Sequence, residues 1–361
     1  MKTRLIVAFC AAFLSSASLA QEKVVNIYNW SDYIDPTVLD DFTRETGIRV
    51  VYDTYDSNET LETKLLAGKT GYDVVAPSAS FLQRQIQIGV YQKLDKSKIP
   101  NLKNLASDIM SRLATYDPGN QFAVNYMWFT TGIAYNVEKA KARVGDKPLD
   151  SWDFVYKPEN LRKFADCGVY MLDSPEDILT TSLRFLQINP DSKNAADIRK
   201  GADALMRVKP FVKKFHSSEY INALANGDIC LAVGWAGDSF QARNRAKEAR
   251  NNVDIEYMIP KEGTLISMDN LAIPKDAAHV AEAHALIDYL LRPEIAARNS
   301  NVTNFANGVA ASRPLVSPDI LNNKAVYPDE AIMKRLFTAT AYDQATQKIV
   351  TREWTRVKTG K

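Results

Sequence analysis

The chain has 361 residues, 45 Lys plus Arg against 43 Asp plus Glu, and 46% apolar residues. Removing Lys2 and Arg4 with an N-terminal leader leaves 43 of each sign, a balance that argues against nucleic acid as a partner, which calls for a basic excess. The length suits two domains of ordinary size.

The first predicted element is the leader. Lys2 and Arg4 precede an apolar run over 5–14, and Ser18-Leu19-Ala20 ends in small residues at its first and third places. This pattern predicts a secretory signal over 1–20. The run is too short for a bilayer, and no later stretch approaches the ~20 apolar residues a membrane helix needs. The mature protein is therefore expected to be soluble and exported, without membrane insertion, and is taken as a monomer. Phe9 before Cys10 is a poor fit to the small residue that precedes a lipid-modified Cys. Beyond the leader only Cys167 and Cys230 remain. In an oxidising compartment they allow one disulfide or two separate buried thiols.

From residue 24 short apolar strands alternate with amphipathic helices. A strand is predicted over 24–28. Asp35 caps a helix opened by Pro36, with Val38, Leu39 and Phe42 on its apolar face, and Gly47 ends it. A strand over 49–52, a helix over 59–67 and a strand over 72–76 follow. Such repetition predicts an α/β fold with a largely parallel sheet. Ligands of such sheets collect beyond the carboxyl ends of the strands, which puts Trp30-Ser31-Asp32-Tyr33 and Pro77-Ser78-Ala79-Ser80 on one rim. A second block begins near Thr131, with strands at 132–136, 229–233, 253–259 and 271–273. A helix over 277–291 is stopped or kinked by Pro293, and the tail from 329 is mostly helical.

Three segments are read as placing an acid beside an aromatic or small polar residue just past a strand: Trp30-Ser31-Asp32-Tyr33, Trp235-Ala236-Gly237-Asp238 and Met268-Asp269-Asn270. Glu176-Asp177 offers a fourth acidic segment. Carboxylates accept charge-assisted hydrogen bonds from ammonium groups, and aromatic faces attract cations and cover methylenes. Together they suit an organic cation such as an alkyl diamine. Each residue also has a plainer reading. Asp32 also suits a helix cap, Trp235 suits core packing, and Glu176 and Asp177 suit a helix N-terminus. Asp269 sits among apolar residues and needs a cation, from Lys or Arg or from a ligand.

Signals for chemistry are weak. His279 and His284 are five apart, not the three or four that share a helix face. His216-Ser217-Ser218 lacks a nucleophile elbow. Gly68-Lys69-Thr70 would need its first glycine where Thr63 stands. No Cys/His spacing fits a metal. Neither cofactor nor metal nor enzyme activity is expected, although paired acids leave a secreted hydrolase as a remote alternative.

The segments IYNWSDYI, DSNE, KLLAG, GYDVVAPSASFL, LDKSK, TTGIAYNV, CGVYMLD, FHSSEYINALANGDIC, GWAGD, NRAKEA, IPKEG and LLRPE run nearly the length of the chain. On these the chain resembles the periplasmic polyamine-binding proteins of ABC importers, most closely the putrescine type. The resemblance implies a type II-like periplasmic binding fold: two α/β lobes, two crossover strands and a ligand in the interlobe cleft. It sets lobe 1 at 21–131 plus 257–302 and lobe 2 at 132–256 plus 303–361. It also implies a Cys167–Cys230 disulfide, a polyamine ligand and a membrane ABC permease as partner. The ligand contacts it implies are Trp30, Ser31, Asp32, Tyr33, Ser78, Trp235, Asp238 and Asp269. In that reading Asp238 and Asp269 hold one ammonium, the first loop and the acid-bearing loop hold the other, and aromatics box the alkyl chain.

Three positions depart from the putrescine-type pattern. Asp177 replaces a Glu, Ser267 replaces a Phe, and Phe305 replaces a Tyr. Loss of one wall of the box and of one hydroxyl is worth about one to two decades in affinity. The space opened at Ser267 is expected to admit a longer or bulkier amine, which makes agmatine, cadaverine, spermidine or another amino or guanidino compound the alternative ligand, and a signalling receptor the alternative role.

Overall fold

In the computed structural model, which describes residues 23–361, ten strands form a mixed sheet. They are β1 (Val24–Trp30), β2 (Arg49–Tyr55), β3 (Val74–Val75), β4 (Ala123–Asn136), β5 (Val169–Met171), β6 (Lys214–Phe215), β7 (Leu231–Trp235), β8 (Ile255–Met258), β9 (Ile266–Ala272) and β10 (Ala306–Asn307). The order is β2-β1-β3-β9-β4-β7-β5-β6, with β8 and β10 also paired to β4. The expected signal over 1–20 and Cys10 lie outside the described residues.

One end of the sheet is the parallel α/β unit read from the sequence, with β1 paired parallel to β2 and β3, and the other end repeats it with β5 parallel to β6 and β7, although no strand was expected at 169–171 or 214–215. The centre is antiparallel, since β4 runs against β7, β8 and β9. All 14 residues of β4 are buried, as expected of a strand covered on both faces. The expectation of a short strand at 132–136 therefore found only its second half. The first half, AVNYMWFTT, carries Asn125 and three large aromatics that interrupt an aliphatic run. The expected strand over 271–273 is likewise the end of the longer β9.

Local rules hold well at the start of the chain. The Asp35 side chain accepts a hydrogen bond from the Thr37 N–H, Pro36 opens the helix Pro36–Thr46, and Gly47 closes it at φ 70°. Pro293 does not kink a helix but opens a separate one, Pro293–Thr303, because its fixed φ and missing N–H are harmless in a first turn.

Two apolar cores lie on either side of β4. One gathers Val25, Ile27, Phe42, Leu82, Leu286 and Ile287. The other gathers Trp152, Tyr156, Phe164, Leu205, Leu224 and Val233. Phe305 and Val309 still pack in the first core, and Val316 and Ile320 in the second. β8, reaching Met258, forms its ladder with Ile133–Asn136 of β4. Cys167 and Cys230 are joined by a disulfide with a Cα–Cα distance of 5.6 Å. It ties the entries of the neighbouring strands β5 and β7 in lobe 2. Among the described residues no helix is long and apolar enough to cross a membrane.

Candidate functional site between the lobes

The rim expected from strand order is where a cavity lies. It is open to solvent, with about 400 Å³ of empty space counting that opening, and is lined by Trp30, Ser31, Tyr33, Tyr55 and Phe305 from lobe 1, by Phe129 and Asp269 from the central strands, and by Ser217, Ser218, Trp235 and Asp238 from lobe 2.

The first loop is held from behind. The Trp30 indole N–H and the Tyr55 hydroxyl both donate to the Ala76 carbonyl, at 2.8 and 2.7 Å. The Ser31 N–H donates to the Tyr55 carbonyl at 3.0 Å. Asp32 turns the chain at φ 55°, a left-handed conformation that Asp tolerates better than most residues. Tyr126 then donates to the Tyr33 carbonyl at 2.9 Å. Trp30 and Tyr33 are thereby aimed into the cleft.

Across the cleft β7 runs directly into the helix Ala236–Ala249. Gly234 is required here because a Cβ would lie 2.5 Å from the Tyr220 ring. With that space free, Tyr220 crosses the strand and donates to Asp238 Oδ2 at 2.8 Å. The same hydroxyl accepts the Trp235 N–H at 3.0 Å. Asp269 comes from β9, where Ser78 donates to its Oδ1 at 2.6 Å, and Asn58 donates in turn to Ser78 at 2.9 Å.

Five rings form a continuous edge-to-face series. Trp30 meets Trp235 at 5.7 Å, Trp235 meets Phe129 at 5.7 Å, Phe129 meets Phe305 at 5.2 Å, and Phe305 meets Tyr33 at 4.7 Å between centroids. Asp238 and Asp269 are 6% and 2% exposed. Neither makes an ion pair with Lys or Arg among the described residues. Burial is the main cause that pushes each up to about 7, and the mutual proximity of the acids adds to it for Asp238. The buried Tyr33 hydroxyl lies beside Asp269, whose charge raises its pKa further after burial. Two desolvated acids and a buried hydroxyl beside aromatic faces make a site for a cation with N–H donors.

Seven of the eleven expected ligand residues line this cavity: Trp30, Ser31, Tyr33, Trp235, Asp238, Asp269 and Phe305. Four stand elsewhere. Asp32 turns outward and pairs with Arg245 of lobe 2 at 2.9 Å. Ser78 lies behind Asp269. Asp177 accepts from Thr131, from Ser174 at 2.6 Å and from the Trp235 indole N–H at 3.2 Å, so it positions the ring. Ser267 sits on β9 opposite Phe129. Glu176 bonds to Ser80 of lobe 1 across the cleft, and burial raises it to about 8. Phe129 and Tyr220 had no signal in the sequence, because each reaches the site from a strand or helix without a turn motif. Asp56 and Ser217 also line a wider outer space with Glu59 and Asp173, so the cavity opens on an acidic mouth.

Residues 37–328 match the family described as bacterial extracellular solute-binding protein. The chain is 52% identical over its full length to the putrescine-binding periplasmic protein SpuD of Pseudomonas aeruginosa, covering 98% of it. It is 51% identical to the putrescine-binding periplasmic protein PotF of Escherichia coli, over 95% of this chain and 93% of that one. Its fold is similar to the crystal structure of the spermidine/putrescine ABC transporter substrate-binding protein PotD of Streptococcus pneumoniae. That similarity has a TM-score of 0.77 and 28% identity, over 94% of this chain and 99% of that one.

Proposed function

The chain belongs to the bacterial extracellular solute-binding proteins, and on that premise we propose that it is the periplasmic receptor of an ABC importer for a putrescine-like diamine. The observation that carries this reading is the pair Asp238 and Asp269, buried without a basic partner at the aromatic series. An alkyl diamine supplies what they lack. Its ammonium groups stay protonated at neutral pH, with pKa values near ~10 as for Lys, and its methylenes lie against Trp30, Trp235 and Phe305.

Binding and closure are one process. Asp269 and Tyr33 belong to lobe 1 and its strands, while Asp238 and Trp235 belong to lobe 2. Only the closed form brings both sets to one ligand, so the ligand favours that form. The closed receptor then hands its cargo to a membrane permease without chemical change.

Titration calorimetry with putrescine, cadaverine, agmatine and spermidine tests the reading. One diamine per chain is expected to bind, and Asp269→Ala to abolish binding at the same concentrations. No heat from any of the four amines, or their turnover, would reject it. Ligand at 100 times its dissociation constant is expected to add ~2.7 kcal/mol of stability in a thermal melt.

A further inference from the structure

We propose that Phe129 sets the length limit of the ligand, by filling from β4 the space that Ser267 leaves on β9. This rests on the diamine reading of the cavity and specifies its size class: short linear diamines over longer amines.

The register of the two strands carries the argument. β4 and β9 are antiparallel, with Phe129 directly opposite Ser267 and Met127 opposite Asp269. Directly opposed residues project to the same face, with Cβ atoms about 4.5–5.5 Å apart. Residues two apart on a strand also share a face. Phe129, Ser267 and Asp269 therefore look the same way, toward the cavity that Phe129 and Asp269 line. A ring rooted at either 129 or 267 reaches the same region beside Asp269. In this chain the ring comes from 129, where it meets Trp235 and Phe305 edge-on. Ser267 is the small partner across the ladder that leaves the ring its room.

The consequence reverses the expectation drawn from Ser267 alone. The box is not open at that position, because an aromatic from the neighbouring strand closes it. Phe129 touches rings of both lobes, Phe305 of the first and Trp235 of the second, so it also joins ligand fit to closure. It is a specificity-determining residue of a kind that position-by-position inspection overlooks, since wall and gap lie 138 positions apart in the sequence.

Calorimetry with putrescine and spermidine on four proteins tests the assignment: the unaltered chain, Phe129→Ala, Ser267→Phe, and the two changes together. Phe129→Ala is expected to weaken putrescine about three- to thirtyfold, the range for a ring beside a desolvated cation, and to narrow the preference over spermidine. Ser267→Phe alone forces two rings into one space and is expected to weaken putrescine as well. The double variant is expected to recover most of the affinity, a coupling that independent sites would not show. Phe129→Leu, which keeps apolar volume in the core, is expected to fall between and guards against a folding defect. Putrescine affinity of Phe129→Leu and Phe129→Ala equal to that of the unaltered chain, or a double variant no better than Phe129→Ala, would overturn the assignment while leaving the diamine reading intact. Failure of the unaltered chain to bind any diamine would instead remove that reading, and this inference with it.

Discussion

Arg245 of lobe 2 closes a 2.9 Å ion pair with Asp32 of lobe 1. The Gln241 side-chain amide donates to the Asp32 carbonyl at 3.2 Å from the same helix. The acid expected to hold ligand thus holds the opposite lobe.

Loss of this pair should act on closure alone. Both side chains are about a third or more exposed, so the contact is worth about 0.2–1 kcal/mol. Arg245→Ala is expected to raise the dissociation constant about 1.5- to 5-fold, mainly through faster release in stopped flow. The melting temperature of ligand-free protein should not move. A tenfold faster association with unchanged release would contradict it.

The cleft acids make binding depend on pH. Ligand-free, Asp238 and Asp269 are pushed up to about 7 by burial, and a bound ammonium favours their ionised forms. Binding therefore expels protons below pH 7 and strengthens as pH rises through 7. Between pH 8 and 6 the dissociation constant is expected to rise about tenfold if one acid governs and about a hundredfold if both do. Asp238→Asn should bind weakly and flatten that slope. Calorimetry in buffers of different ionisation enthalpy counts the protons released.

The same shifts bear on stability with a definite sign. Unfolded, these acids lose their protons near the ordinary Asp value of 3.8. Between that pH and 7 the folded, ligand-free protein holds more protons than the unfolded chain. The contribution of the two acids to stability is therefore full at the acid end and is lost as pH rises toward 7. Saturating diamine should suppress this loss in melts taken from pH 5 to 8.

Gly237 makes closure possible in another way. A Cβ there would lie 2.2 Å from the Phe305 ring of the opposite lobe. Gly237→Ala suits the helix it sits in, where Ala is better than Gly by ~1 kcal/mol. It is expected to leave ligand-free stability unchanged or raised. Overpacking of about 1–3 kcal/mol falls on the closed form only, about 5- to 150-fold in affinity. Small-angle scattering should show no compaction on adding diamine at concentrations that close the unaltered protein.

The Cys167–Cys230 bridge spans 63 positions within lobe 2. Its removal by Cys167→Ser with Cys230→Ser is expected to cost about 2–4 kcal/mol, mostly by freeing the unfolded chain. Diamine affinity at a temperature where the variant is folded should stay within about twofold, because the bridge lies apart from the cavity. A melt unchanged by the double substitution would refute the structural role.

Local chemistry was enough to read much of this molecule from its residues. The Asp35 cap, the Pro36 start and the Gly47 stop each depend on neighbours within a turn. The parallel unit at the start of the chain follows from its alternating strand and helix pattern, and the strand signals at 24–28 and 229–233 place Trp30, Tyr33, Trp235 and Asp238 at or just past strand ends. What needed three dimensions was every decision between a carboxylate for the ligand and one for the protein. Asp32 and Asp238 look alike in sequence, yet one meets Arg245 and the other only Tyr220, because partners 213 and 18 positions away decide it. Phe129 and Ser267 are likewise a pair only through the β4–β9 register. Side-chain type announces a need for a cation or a neighbour; the packing of distant segments decides which need is met inside the chain and which is left for a ligand.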